Sequence, residues 1–348
     1  MSKVLSALLL ALVIAGAVSA WLVLGPGTDF SEKSRYFIVP EGKTGQAAVL
    51  QAMEQEQILA HPAVFSLLAS RMEVWNKLRP GKYEVKKGMS SWKIARMLRN
   101  GRLAELKLVI NKLRVKEDLA HLISKNFAPD SVSVMRYLNS NDSLKKFGVD
   151  TSQLFTLIIP DTYSFYWHTS ITRILRRLSD EQKSYWAQND RLAKAEKMNF
   201  TPEQVYILAS IVEEETNYES DKYKIASVYI NRLKKQMPLQ ACPTIKYAMK
   251  DFTLTRIYEK YLFNPSPYNT YRVKGLPPGP ICTPSPKTID IVLNAPHSDY
   301  LYFVAKSDFS GYHHFSSNYA EHDRYAKEYQ KALDAYMARK QEKESKKP

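Results

Sequence analysis

The stretch TPEQVYILASIVEEETNYES (201–220) runs an apolar segment into three adjacent carboxylates, Glu213, Glu214 and Glu215. Its opening is a helix signal. Thr201 suits the N-cap, Pro202 the first helical position, and Gln204 the reciprocal position of a capping box. Val205, Leu208 and Val212, with Ile207 and Ile211, form a wide apolar stripe at helical spacing, so the helix belongs to a core. Ala209 and Ser210 are small and let another segment approach closely. The end is awkward: acids at a helix C-terminus oppose the macrodipole, at a cost of a few tenths to about 1 kcal/mol each. Two readings stay open. The helix simply emerges into water there, or one acid sits in a cleft where the helix end favours its neutral form and raises its pKa toward working pH.

Composition narrows the partners. Fifty Lys and Arg against 35 Asp and Glu give a net charge of +15 in 348 residues, which favours anionic partners such as a phospholipid surface or an acidic polymer. The chain has no zinc-finger spacing and no basic run interleaved with aromatics, so no nucleic acid is expected. Cys242 and Cys282 are the only cysteines. They form no CxxC; a disulfide between them stays open.

Residues 4–24, VLSALLLALVIAGAVSAWLVL, carry no charge. A helix of that length crosses a hydrocarbon core of roughly 30 Å. VSA at 18–20 resembles a signal-peptide cleavage site, but the apolar run continues past it through Trp21 to Leu24 and exceeds an ordinary h-region. The expectation is an uncleaved single-pass anchor with the bulk of the chain outside the cytoplasm. Lys3 is the one basic residue before it.

Residues 25–34 read as a Gly/Pro/polar linker. A small α/β module follows: a strand over 36–39, helices over 45–60 and 62–78, a strand over 82–85, and a helix over 90–99 that opens on Ser90 and closes at Asn100-Gly101. A strand over 104–110, a helix over 115–125 and one long polar helix over 171–195 come next, then the glutamate helix and another over 223–235. Beyond it MPLQACPTIKYA and NPSPYNTYRVKGLPPGPICTPSP (237–248, 264–286) have little periodicity and many turn formers. Their prolines stiffen a loop rich in Tyr, Asn and Thr, groups that pair with sugar hydroxyls or stack on pyranose rings. The fold class expected is α+β.

IVEEET (211–216), INRL (230–233), LQACPTIKYA (239–248), SPYNTY (266–271), GLPPGPI (275–281), PDTYSF (160–165), YLYFVA (300–305) and GYHHFSSNYAEH (311–322) occur in the order in which similar motifs occur in the YceG-like family, the endolytic murein transglycosylases. The resemblance covers nearly the whole chain. It implies an inner-membrane enzyme that cleaves peptidoglycan glycan strands internally, between N-acetylmuramic acid and N-acetylglucosamine, and leaves a 1,6-anhydro-muramic end. It also implies these boundaries: cytoplasmic tip and transmembrane anchor over 1–27, a LysM-like subdomain over 34–103, a connecting α/β region over 104–200, a mixed α+β catalytic core over 201–335, and a charged tail over 336–348.

By the same resemblance Glu213 is the catalytic acid, Glu215 a supporting acid, and Asn231, Gln240, Thr244, Tyr268 and Asn269 are cleft residues; Glu214 is read as a solvated neighbour. Two departures stand out. Cys242 replaces the Asp usual in LQ-x-DPT, and 109–118 reads VINKLRVKED instead of a Pro-Glu-Gly turn, in what is read as linker. The implied chemistry needs one carboxyl, no metal and no cofactor. The partners it implies are peptidoglycan glycan strands, the membrane through the N-terminal helix, and proteins of cell-wall synthesis, whose identity is not written in the sequence. Two rival readings are a glycoside hydrolase that pairs Glu213 with Glu215, Asp161 or Asp221, and a membrane-anchored protein that binds peptidoglycan without chemistry.

Overall fold

The computed structural model of the chain describes residues 3–42, 44–254 and 256–345. Residues 1–2 of the expected cytoplasmic tip and 346–348 of the expected tail lie outside the described residues. Helices and short strands are mixed, and the chain divides into two compact units. The first comprises Met1–Leu108, Ser124–Pro129 and Ser164–Ser170; the second comprises Val109–Ile123, Asp130–Tyr163 and Ile171–Pro348.

The first unit begins with α1 (Lys3–Leu24), a 22-residue helix with no buried residue and a length and apolarity sufficient to cross a membrane. Then come β1 (Ser34–Val39), α2 (Gln46–Gln55), α3 (Pro62–Arg71), α4 (Val74–Lys77), β2 (Gly81–Lys86) and α5 (Ser91–Arg99). β1 and β2 pair antiparallel, with Ser34 opposite Lys86 and Val39 opposite Gly81. Alternation along the strands sends Phe37, Val39, Tyr83 and Val85 into a core shared with Val49, Met53, Phe65, Ile94 and Leu98. The helix expected over 62–78 is broken, because Glu73 takes a left-handed conformation (φ 54°) and the chain turns to bury Val74. Residues 25–34 are no free linker either. Gly27 N–H donates to Met89 O at 3.0 Å, Ala60 N–H donates to Gly27 O at 3.0 Å, and Thr28 bridges Leu59. A Cβ on Gly27 would stand 2.7 Å from Ser91 N, so glycine alone allows this approach.

β3 (Glu105–Val109) and β4 (Thr162–Tyr166) form a second two-stranded sheet, and the division between the units falls within both strands. The second unit holds α6 (Lys116–Asn126) up to Ile123, α7 (Ser131–Leu138), α8 (Asn141–Lys145), α9 (Ile171–Ala187), α10 (Arg191–Lys197), α11 (Pro202–Glu215), α12 (Glu219–Lys234), α13 (Cys242–Met249), α14 (Pro286–Leu293), the hairpin β5 (Tyr302–Ala305) and β6 (His313–Ser316), and α15 (Tyr319–Ser345). Asn189 and Asp190, both left-handed, split the helix expected over 171–195. The break swings Arg191 inward, where its guanidinium pairs with both oxygens of Asp290 at 2.7 and 3.0 Å and lies 3.8 Å from the Tyr185 ring centroid.

At the centre of this unit is α11. The capping box forms as expected, and every residue from Val205 to Val212 is buried against α12, α13 and α14. Ser210 is small enough for the segment leading to α14 to lie on it: its hydroxyl accepts from Ile281 N at 3.0 Å, and its carbonyl accepts from the Cys282 thiol at 3.4 Å. Cys242 and Cys282 are both free, so the disulfide left open by the sequence is not formed.

Candidate active site

Where α11 runs out, its three acids separate. Glu213 points to the N-terminal end of α14. Its Oε2 accepts from Lys222 Nζ at 2.9 Å, from Ser285 Oγ at 3.1 Å, and closely from Thr288 Oγ1. Ser285 is the N-cap of α14 and also accepts from Thr288 N–H, so one hydroxyl closes the helix and orients the acid. Lys222, buried in the first turns of α12, donates in addition to Thr288 Oγ1 at 2.8 Å.

Glu214 is not a solvated neighbour. Arg114 donates to both of its oxygens, at 3.0 to 3.3 Å, and Lys112 lies 3.1 Å from Oε1. The segment carrying these cations follows β3 and has no regular secondary structure. It is fastened by reciprocal bonds between Leu113 and Thr283, at 2.8 and 2.9 Å, and by Ile110 N–H on Asp161 O at 3.0 Å. Glu215 points elsewhere: it accepts a close hydrogen bond from the Tyr229 hydroxyl, near Lys246 and Cys242.

Ile110, Asn111, Lys112, Pro160, Asp161, Thr162, Thr283, Ser285 and Glu213 together line an open cavity of about 470 Å³. The 109–118 segment, read from sequence as linker, is thus a wall of the cavity that holds Glu213. A larger cavity, about 620 Å³, belongs to the first unit, among Trp92, Arg96, Lys86 and Arg102. It contains none of the acids singled out in the sequence.

The electrostatics invert the expectation for α11. Burial pushes the Glu213 carboxyl up, but hydrogen bonds from Thr288 and Lys222, with the charges of Lys222 and Lys112, outweigh it and hold Glu213 below the ordinary glutamate range. The N-terminus of α14 also favours the anion, opposite to the end of α11. Glu215 is the raised acid: burial lifts it to about 7, against the Tyr229 hydrogen bond.

Among the other expected cleft residues, the side-chain bonds found hold loops. Asn231 Nδ2 donates to Ser298 O at 2.8 Å and Tyr300 O at 3.0 Å. Gln240 Oε1 accepts from Arg232 at 3.2 Å, Thr244 Oγ1 lies 2.9 Å from Thr270 Oγ1, and Asn269 Nδ2 donates to the carbonyls of Leu262 and Asn264 at 2.9 and 2.8 Å. Tyr268 packs on Tyr247, 4.7 Å between ring centroids. None of these five lines the Glu213 cavity. Cys242, in the position usual for Asp, sits 3.1 Å from the Tyr271 hydroxyl. Lys112, Lys222, Ser285 and Thr288 were not singled out in the sequence. The N-cap pattern Ser285-Pro286 was visible; the placement of Lys222 on Glu213 was not.

With an apolar helix ending in a cavity-lining acid, and the PDTYSF loop on the same cavity, comparison with known proteins becomes informative. The sequence model of the YceG-like family matches residues 37–328. The chain belongs to the YceG-like family. This YceG-like chain is 37% identical over 190 residues to the endolytic murein transglycosylase of Bacillus subtilis, an alignment spanning 53% of the chain and 49% of the relative. It is 27% identical over 319 residues to the endolytic murein transglycosylase of Streptococcus pneumoniae strain R6, spanning 82% and 56%. The chain therefore matches about half the length of these curated relatives. A crystal structure of a putative YceG-like protein from Listeria monocytogenes superposes with a TM-score of 0.55 at 25% identity, covering 84% of this chain and 99% of that one.

Proposed function

We propose that this YceG-like protein is an endolytic peptidoglycan lytic transglycosylase whose single acid–base group is Glu213. The observation that carries this reading is the position of Glu213: the first acid after the apolar run of α11 lines an open cavity, its Oε2 held by three donors. In the reaction, protonated Glu213 gives its proton to the glycosidic oxygen between muramic C1 and the 4-position of N-acetylglucosamine, and the C1–O bond breaks. The Glu213 carboxylate then takes the proton of the muramic 6-hydroxyl as O6 bonds to C1. The anhydro end forms, the glutamate is protonated again, and no water is consumed.

The cationic balance of the chain suits an anionic wall polymer and lipid surface. α1 would anchor the chain in the inner membrane, with the chain that follows it on the outer side. Two strands framing helices in the first unit support a LysM-like subdomain over 34–103, and its cavity beside Trp92 would take a stretch of glycan. Glu215, with Asn231 on α12, Thr244 on α13 and the loop residues Gln240, Tyr268 and Asn269, would shape the cleft.

The hydrolase reading keeps one specific support, because Asp161 lines the same cavity as Glu213 whereas Glu215 and Asp221 do not. Mass analysis of sacculus digests separates the readings. Anhydro products are expected from wild type and none from Glu213→Gln; products heavier by one water point to hydrolysis, and unchanged release by the folded variant sinks the assignment of Glu213.

A further inference from the structure

The two oxygens of Glu213 are not equivalent. Oε2 carries donors from Lys222, Ser285 and Thr288, which exhausts the lone-pair sites of one carboxylate oxygen. Among the described residues Oε1 has only Lys112 Nζ, 3.8 Å away and beyond hydrogen-bond distance. Lys112 is itself held 3.1 Å from Glu214.

Lys222 is the unusual member of this set. Its ammonium is nearly enclosed, and burial of a charge demands close partners. The buried acid next to it in sequence, Asp221, does not serve: Asp221 Oδ2 accepts from His313 N–H at 2.8 Å and lies 3.0 Å from His313 Nδ1. Lys287, on α14, pairs with Glu219. What remains for Lys222 is Glu213 and the Thr288 hydroxyl that relays to the same oxygen.

We propose that Lys222 is a positioning residue of the cleavage reaction: with Ser285 and Thr288 it fastens Oε2 of Glu213, leaving Oε1 as the one oxygen that exchanges a proton with the glycan. This rests on the reading of Glu213 as the acid–base group. The free protein holds Glu213 as the carboxylate, so the acid step needs a proton on Oε1. A pyranose closing over the cavity expels water, and desolvation of Glu213 draws that proton from solvent. It passes to the leaving oxygen, is replaced by the proton of the 6-hydroxyl, and returns to solvent when product leaves. Lys222 sets how acidic the solution must be for that uptake. The other charges facing Glu213 are fixed in pairs, Lys112 and Arg114 with Glu214 and Asp221 with His313; the Cys282 thiol is held neutral by burial, and Asp161 lies across the cavity.

The test is the pH profile of fragment release from purified sacculi by the full chain in detergent, for wild type, Lys222→Met, Lys222→Arg, Thr288→Val and Glu213→Gln. In Lys222→Met the limb on which activity falls with rising pH is expected to move up by about one to three pH units, the span of one adjacent charge. Lys222→Arg, which keeps the charge, is expected to restore the wild-type limb, and Thr288→Val to move it up by less. A folded Lys222→Met whose limb stays at the wild-type pH, with only its amplitude or melting temperature lowered, overturns the proposal and leaves Lys222 a structural ion pair. If Lys222→Met does not fold, an unmoved limb in Thr288→Val overturns it equally. Cleavage surviving in Glu213→Gln is a different failure: it removes the reading of Glu213 itself.

Discussion

Glu213, Glu214 and Glu215 are one residue type on one turn of α11, and each meets different neighbours. Because successive residues differ by about 100° around a helix, the three side chains leave in three directions: to the N-terminus of α14, to the cations of 112–114, and to Tyr229. The protonation of Glu213 and Glu215 follows their neighbours, and Glu215 offers a check. Its carboxyl lies near 7 in the folded protein against an ordinary 4.5, so the folded state binds the extra proton between these values. Stability from this group is therefore full below about 4.5 and is lost as pH rises through about 7. Glu215→Gln keeps a neutral partner for Tyr229 and is expected to flatten that loss, stabilising the protein at pH 8 relative to wild type by on the order of 1 to 3 kcal/mol, with little effect near pH 4. Denaturant melts at both pH values measure it; an equal offset at the two would refute the assignment.

At the scale of elements, local signals were sound where backbone chemistry governs. The Thr201–Gln204 box closes as read, with Gln204 N–H donating to Thr201 Oγ1 at 3.2 Å and Thr201 N–H to Gln204 Oε1 at 2.8 Å. Thr201→Ala is expected to cost about 1 kcal/mol in chemical denaturation while cleavage persists. Signals failed where tertiary packing interrupts a periodic run. The apolar spacing across 62–78 and 171–195 continues through breaks that exist to bury Val74 and Arg191. The loop GLPPGPI shows a third case. A Cβ on Gly279 would stand 2.0 Å from Ser152 O, a fixed backbone atom, so Gly279→Ala is expected to destabilise by about 1 to 3 kcal/mol and to disturb the approach of Ile281 to α11. A melting temperature equal to wild type would show that the loop yields instead.

For the whole molecule, the apolar N-terminal helix and the cavity-bearing unit make separable demands. α1 has no buried residue, so its removal takes no side chain out of the core. A chain starting at Gly25 keeps the bonds of Gly27 and Thr28 and is expected to fold, to stay in the soluble fraction, and to cleave isolated glycan strands; the full chain should resist carbonate extraction from membranes. Fractionation followed by a cleavage assay decides both points. A truncated chain that still sediments with membranes would show that another surface binds lipid.

The sequence by itself determined what depends on neighbours along the chain: the apolar N-terminal helix, the capped and buried α11, the mixed α+β class, and, through ordered motifs, the family. It also singled out Glu213. Only the tertiary structure decided the state of that acid. The macrodipole of its own helix argued for a neutral carboxyl, but Lys222, Ser285, Thr288 and Lys112 come from 9, 72, 75 and 101 residues away and together favour the anion. Coulomb and hydrogen-bond energies depend on distance in space, and α11, α12, α14 and the 109–114 segment acquire theirs only when the core has packed.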